Sequence, residues 1–113
     1  MIGPYSPVVR AGDWVICSGQ LGIRSGELAD GFAAQLRQAL ANLEALLQGA
    51  GASLADVVKT TVFLIDMTDL DEMNSIYVEC FRGHRPARSA VAVQALPRAA
   101  KVEIEAWAFR PVG

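Results

Sequence analysis

Histidine is almost missing from this 113-residue chain, which has only His84. Cysteine occurs twice, as Cys17 and Cys80, far apart and in no CxxC pair. A zinc site therefore has little to build on. Both cysteines sit on apolar-periodic segments and read as buried thiols; a disulfide does not suit a reducing compartment. A Ser-His-Asp triad would need the single histidine, which sits in a cationic loop, and there is no GxSxG. GxGxxG and the P-loop pattern are also absent, so no phosphate cradle is signalled. Every apolar run is interrupted by Asp, Arg, Gly or Pro before it could span a bilayer. The chain opens with the turn residues of "MIGPYSPVVR" and no signal peptide, so an intracellular, cytoplasmic protein is expected.

Charge is scarce as well. Charged residues make up 19% of the chain against 52% hydrophobic ones, a greasy balance for a monomer. Either the core is dense or other subunits cover part of the surface, and the second is the expectation. The net charge of −2 disfavours general nucleic-acid binding, and basic residues interleaved with stacking aromatics are missing. Neither a membrane nor a nucleic acid is an expected partner.

What is present patterns as one domain over residues 1–113. "DWVICSGQL" reads as a strand, with Trp14, Ile16 and Ser18 on one face and Val15, Cys17 and Gly19 on the other. "RSGE" with Gly26 reads as a hairpin tip. From Gly31 to Gln48, Phe32, Leu36, Leu40, Leu43 and Leu47 recur at helical spacing. Asp30 is the expected N-cap, and Gly49 and Gly51 the stop. "SLAD", Ser53 to Asp56, predicts a capped single turn. "VVKTTVFLI" is rich in β-branched residues and predicts a central strand. "TDLD", Thr68 to Asp71, predicts the capped start of a second helix carrying Leu70, Met73, Tyr77 and Cys80 or Phe81 inward. Two strands follow, "SAVAVQAL" and "KVEIEAWAF". The class is α+β, with two helices on one face of a single mixed sheet. Two helices leave the other face bare. There the last strand places Glu103, Glu105, Trp107 and Phe109 opposite Val102, Ile104, Ala106 and Ala108, so another subunit is the expected cover.

Three polar features stand out. Arg88, in "HRPARSAVAV", sits at the start of an apolar strand, where it is either solvated or a clamp for a carboxylate; a guanidinium fork fits a carboxylate bidentately. Glu103 and Glu105 are either strand-face carboxylates or a means of handling protons and water. Tyr5, in "GPYS", is either a surface lid or the donor of a phenolic OH to a ligand. Arg82, His84 and Arg85 read as loop charges that raise the local positive potential.

The stretches "IGPYS", "ICSGQL", "DVVKTTVFLIDM", "PARSAV" and "VEIEAWA" resemble, in order and over nearly the whole chain, the RidA (YjgF) family of enamine/imine deaminases. The resemblance implies a chorismate-mutase-like α+β fold assembled as a homotrimer with clefts between subunits. It also implies hydrolysis of small carboxylate-bearing 2-enamine and 2-imine acids (2-aminoacrylate/2-iminopropanoate, 2-iminobutanoate) to 2-keto acids and ammonia, with no metal and no cofactor. By motif, Arg88 is the substrate-carboxylate arginine, Glu103 activates or positions water, and Tyr5 closes the pocket. Ser18, Gly19, Asn74 and Ala90 line it. Three departures carry expectations of their own. The chain starts almost at "GPYS", which implies a less firmly held Tyr5 and one edge strand fewer. The connection from Asn74 to Arg88 is a few residues shorter, which reshapes the pocket wall. Ala90 stands where a cysteine is often found, which excludes a thiol mechanism there.

Spacing adds a geometric expectation. If the last two strands turn about Arg98, residue 103 stands about six residues along from Arg88, roughly 20 Å at ~3.3 Å per residue. One small acid cannot touch both within one chain, so a neighbouring subunit must supply one of them. Other readings of the same residues are a related deaminase of an aminomuconate-like intermediate, a non-catalytic ligand-binding or chaperone-like trimer, and an RNA-cleaving protein leaning on Arg82, Arg85 and Arg88.

Overall fold

The structure, a computed structural model, describes residues 3–113. Ile2 of the "IGPYS" stretch lies outside the described residues. Seven strands and two helices follow in the order β1 (Val8–Ala11), β2 (Trp14–Leu21), β3 (Ile23–Arg24), β4 (Glu27–Leu28), α1 (Phe32–Gly49), β5 (Val57–Leu64), α2 (Leu70–Cys80), β6 (Ala87–Ala92) and β7 (Val102–Phe109). Five strands form one mixed sheet in the order β1-β2-β7-β5-β6. Only β5 and β6 run parallel; α2 makes the long crossover that a parallel pair requires. β3 and β4 form a separate two-stranded ribbon, so the sheet is not the single one expected. Its tip is Ser25-Gly26, both at positive φ, as a tight hairpin turn demands.

Period-two alternation on β7 and β5 meets period-3.6 stripes on the helices. Val15 and Cys17 of β2, Val57, Val62 and Leu64 of β5, and Val102, Ile104, Ala106 and Ala108 of β7 pack with Leu36, Leu40, Leu43 and Leu47 of α1 and Met73, Ile76 and Tyr77 of α2. Burial pushes the Cys17 thiol up to about 11, which keeps it protonated and inert. The opposite face is bare in the single chain: Trp14, Trp107 and Phe109 are 38%, 44% and 43% exposed and stack edge-to-face at 6.1 and 5.2 Å. Among the described residues no helix is long and apolar enough to cross a membrane.

Several local expectations are corrected. β1 was not foreseen and borders β2 at the sheet edge. Gly31, at φ 90°, is the N-cap of α1; Asp30 is not, and no side chain caps that helix. Gly51, at φ 85°, closes α1: its N–H reaches Gln48 O at 3.1 Å while Ala52 N–H reaches Leu47 O at 2.8 Å. The expected turn at Ser53–Asp56 is present, with Ser53 N–H donating to the Asp56 carboxylate at 2.9 Å. Thr68 does not cap α2; Asp66 caps the turn before it by accepting from Thr68 N–H at 2.9 Å. β6 starts at Ala87 and ends at Ala92, so Arg88 lies inside the strand and Val93 to Leu96 lie outside it.

Two polar residues on the inward side of α1 tie the helix to strand ends. Gln35 Oε1 accepts from Lys101 N–H at 2.8 Å, and Asn42 Nδ2 donates to Leu21 O and Ile23 O at 3.0 and 2.9 Å. This close approach depends on Gly22, where an added Cβ would stand 2.3 Å from Gln35 O, a backbone atom. Gly22→Ala is therefore expected to cost about 1–3 kcal/mol in denaturant unfolding, the usual penalty of overpacking; an unchanged midpoint would contradict this packing.

Candidate active site in two halves

The first half forms where β2 bulges. β2 pairs β7 in register up to Cys17 and again from Gln20, so Ser18 and Gly19 together oppose Glu105. The bulge resets the alternation and corrects the expected facing of Gly19. Gly19 does not share the Val15/Cys17 face; it lies against Glu103, whose carboxylate would be 2.8 Å from an added Cβ. Glycine is what leaves this carboxylate its room. Ser18 pins the segment that carries Tyr5, its N–H donating to Pro7 O and its Oγ to Ser6 O, both at 2.8 Å. Tyr5 stands 45% exposed at the rim. Tyr5, Ser18, Gly19, Leu21, Pro97, Glu103 and Glu105 line one cleft of about 380 Å³. Half-burial, and then the charge of Glu105, push the Glu103 carboxyl above the usual carboxylate range. Such a carboxylate is a stronger base than a solvated one.

The second half gathers on the β6 edge beside α2. Arg88 Nη1 donates to Asn74 Oδ1 at 2.7 Å and lies 3.5 Å from Met73 Sδ. The guanidinium carbon sits 5.1 Å from the centre of the Tyr77 ring. Among the described residues no carboxylate pairs with Arg88. It is held by neutral groups and keeps its charge for an anion. Ala90 follows on the same face, half-buried against the core.

The halves do not meet within the chain. β6 and β7 are not neighbours; both flank β5. Arg88 is level with Thr60 and, across β5, with Ala106, whereas Glu103 is level with Phe63 and Val91. The offset along the strands is thus three residues, from Arg88 to Val91. The expected 20 Å shrinks to about 14 Å, from ~3.3 Å per residue and ~4.8 Å per strand spacing. The earlier figure fails because β5 intervenes and β6 is shorter than the apolar run. Facing separates the two further. Arg88 shares the helix-covered side of Thr60 and Ala106, both buried, whereas Glu103 is on the bare side with Glu105 and Trp107.

Glu105, read from the sequence as a possible proton-handling carboxylate, lines the cleft beside Glu103, whereas sequence reasoning missed Leu21 and Pro97 as cleft walls. It also missed Met73 and Tyr77 as the bed of Arg88, because their spacing signals only an inward helix stripe. His84, read as a loop charge, instead donates Nε2–H to Val57 O at 2.6 Å. Arg82 reaches Glu44 at 3.5 Å. Among the described residues no three His, Cys, Asp or Glu side chains converge to hold a metal ion.

Against known proteins, the family described as Endoribonuclease L-PSP matches residues 1–110. A RutC family protein of Pyrococcus horikoshii is 46% identical over 112 residues, 96% of this chain and 89% of the relative. The 2-iminobutanoate/2-iminopropanoate deaminase of Escherichia coli K12 is 44% identical over 114 residues, again 96% and 89%. The crystal structure of E. coli TdcF with bound serine superposes with a TM-score of 0.93 at 39% identity, covering 97% of this chain and 91% of that one.

The electrostatics of the first half are directly testable. Glu105→Gln removes the neighbouring negative charge and should lower the Glu103 titration midpoint, read by carboxyl ¹³C shifts against pH. Because the native carboxyl holds its proton to higher pH than the unfolded one, its contribution to stability falls as pH rises through that window. A midpoint that stays put in Glu105→Gln would contradict the assigned cause.

Proposed function

Since the chain belongs to the endoribonuclease L-PSP family, the RidA (YjgF) family of the resemblance above, we propose that it is a hydrolytic deaminase of small 2-enamine and 2-imine acids. The products are 2-keto acids and ammonia. The observation that carries this reading is Arg88 held by neutral groups and, among the described residues, paired with no carboxylate, a receptor for one carboxylate. Glu103, in a cleft with Tyr5, Ser18 and Gly19, supplies the complementary chemistry. The bare sheet face and the opposite facing of Arg88 and Glu103 favour a homotrimer in which Arg88 of one copy meets Glu103 of the next. The naming of a relative for 2-iminobutanoate and 2-iminopropanoate, and the serine held by another, support a small substrate with one carboxylate.

In this reading Arg88 and Asn74 seat the carboxylate, and the enamine tautomerises to the imine. Glu103 takes a proton from water as the water oxygen bonds to the imine carbon; the C=N π pair moves to nitrogen, which takes a proton from solvent. In the resulting carbinolamine, Glu103 returns its proton to nitrogen. The C–N bond breaks, ammonia departs with that electron pair, and the hydroxyl loses its proton to solvent to leave the keto acid. Tyr5 covers the cleft, and Ala90 offers no thiol. The chemistry needs no metal or organic cofactor, and we assign it to the cytoplasm. RNA cleavage gains no support from a chain of net charge −2 whose one histidine is bound to a backbone carbonyl.

The test generates 2-aminoacrylate from serine with a dehydratase and follows loss of the imine. The wild-type protein should accelerate it. Arg88→Ala should lose about a hundredfold in kcat/KM, the scale of about 2–5 kcal/mol for truncating one member of a charge pair, with assembly unchanged. Full activity in Arg88→Ala would sink the assignment; no acceleration by wild type would favour an aminomuconate-like substrate or a non-catalytic ligand-binding trimer.

A further inference from the structure

We propose that Tyr77, fixed by a buried hydrogen bond to Thr60, is the positioning residue that sets the orientation of the Arg88 guanidinium for its carboxylate. The inference rests on reading Arg88 as the carboxylate receptor and goes beyond it by naming what aims the receptor. Thr60 and Arg88 are register partners on adjacent strands and face the same side. Thr60 is fully buried, one of only two polar residues among the described buried ones. Its Oγ1 lies 2.7 Å from the Tyr77 hydroxyl. That bond fixes the far end of the phenol, so the ring can neither slide along α2 nor tilt away from β6. The ring then offers its electron-rich face to the guanidinium carbon at 5.1 Å. One helical turn earlier, Asn74 fixes Nη1 at 2.7 Å, and Met73 adds its sulfur at 3.5 Å.

Arginine has long rotamer freedom, and an exposed one loses much of its binding energy to ordering. A carboxylate partner would order it but would also neutralise it. An aromatic face orders it and leaves the charge uncompensated. Tyrosine differs from phenylalanine here in one respect: its hydroxyl is tied to β5, the strand next to the arginine's own. The geometry therefore links a core hydrogen bond to the aim of a surface cation.

The test contrasts two paired variants, each of which removes both hydroxyls so that none is orphaned. Thr60→Val with Tyr77→Phe keeps the ring; Thr60→Val with Tyr77→Met removes it at similar volume. Binding of 2-oxobutanoate, a stable keto acid, is titrated for each, in the wild-type and Arg88→Ala backgrounds. The phenylalanine pair, its ring untied, should bind more weakly than wild type, and the methionine pair about five- to twentyfold more weakly again; both losses should vanish in Arg88→Ala. The Arg88 Nε–Hε resonance should carry an upfield ring shift in wild type and lose it in the methionine pair. Equal affinities for the two pairs, a phenylalanine pair that binds as tightly as wild type, or a loss that persists in Arg88→Ala, would overturn the proposal. Should the methionine pair not fold, the wild-type resonance decides, and an absent ring shift overturns it. None of these readouts needs turnover, so a failure of the deaminase reading stays distinct from a failure of this one.

Discussion

Everything about the site follows from the alternation of β7. Val102, Ile104, Ala106 and Ala108 are buried under the helices, so Glu103 and Glu105 must project from the other side of the sheet. Two strands away, Arg88 lies level with Ala106 and on its side. A one-residue slip in either strand would bring the two onto one face, but it would also turn a row of core residues out to solvent. The hydrophobic pattern that stabilises the sheet is therefore the same pattern that divides the site. A small acid can bridge the halves only if two copies bring them together, and the exposed aromatic face beside Glu103 is where a copy has apolar surface to bury.

The halves are tuned in opposite ways. On the Arg88 side, an amide, a thioether and a phenol ring hold a cation without cancelling it. On the Glu103 side, burial and a like-charged neighbour raise the carboxyl's affinity for a proton. Each half is poorly satisfied alone: among the described residues, one is a cation without an anion and the other a carboxylate without a cation. That mutual deficiency is what a substrate with a carboxylate at one end and a carbon open to water at the other would complete.

Much of this was legible in the residues. The α1 stripe, the Ser25-Gly26 hairpin and the two-faced β7 were readable because each is a local pattern with its own period. Tyr5, Ser18, Gly19 and Glu103 line one cleft, and Arg88 hydrogen-bonds to Asn74 elsewhere in the chain. What could not be read is non-local. No local pattern says that β5 lies between β6 and β7, and on that the distance between Arg88 and Glu103 depends. The bulge at Ser18-Gly19 is hidden for the same reason, since it exists only relative to β7. Tyr77 and Thr60 read as ordinary core members, because burial looks alike whether or not the buried group steers a neighbour.

The central claim is that one working site takes Arg88 from one copy and Glu103 from another, and mixing two inactive variants tests it most directly. Arg88→Ala and Glu103→Gln are unfolded, combined in equal amounts and refolded together, and imine hydrolysis is compared with that of each variant refolded alone. In the mixture, about a quarter of the sites should receive an intact arginine from one subunit and an intact glutamate from its neighbour. The account predicts recovery of about that share of wild-type activity. A mixture as inactive as its two parents would contradict it.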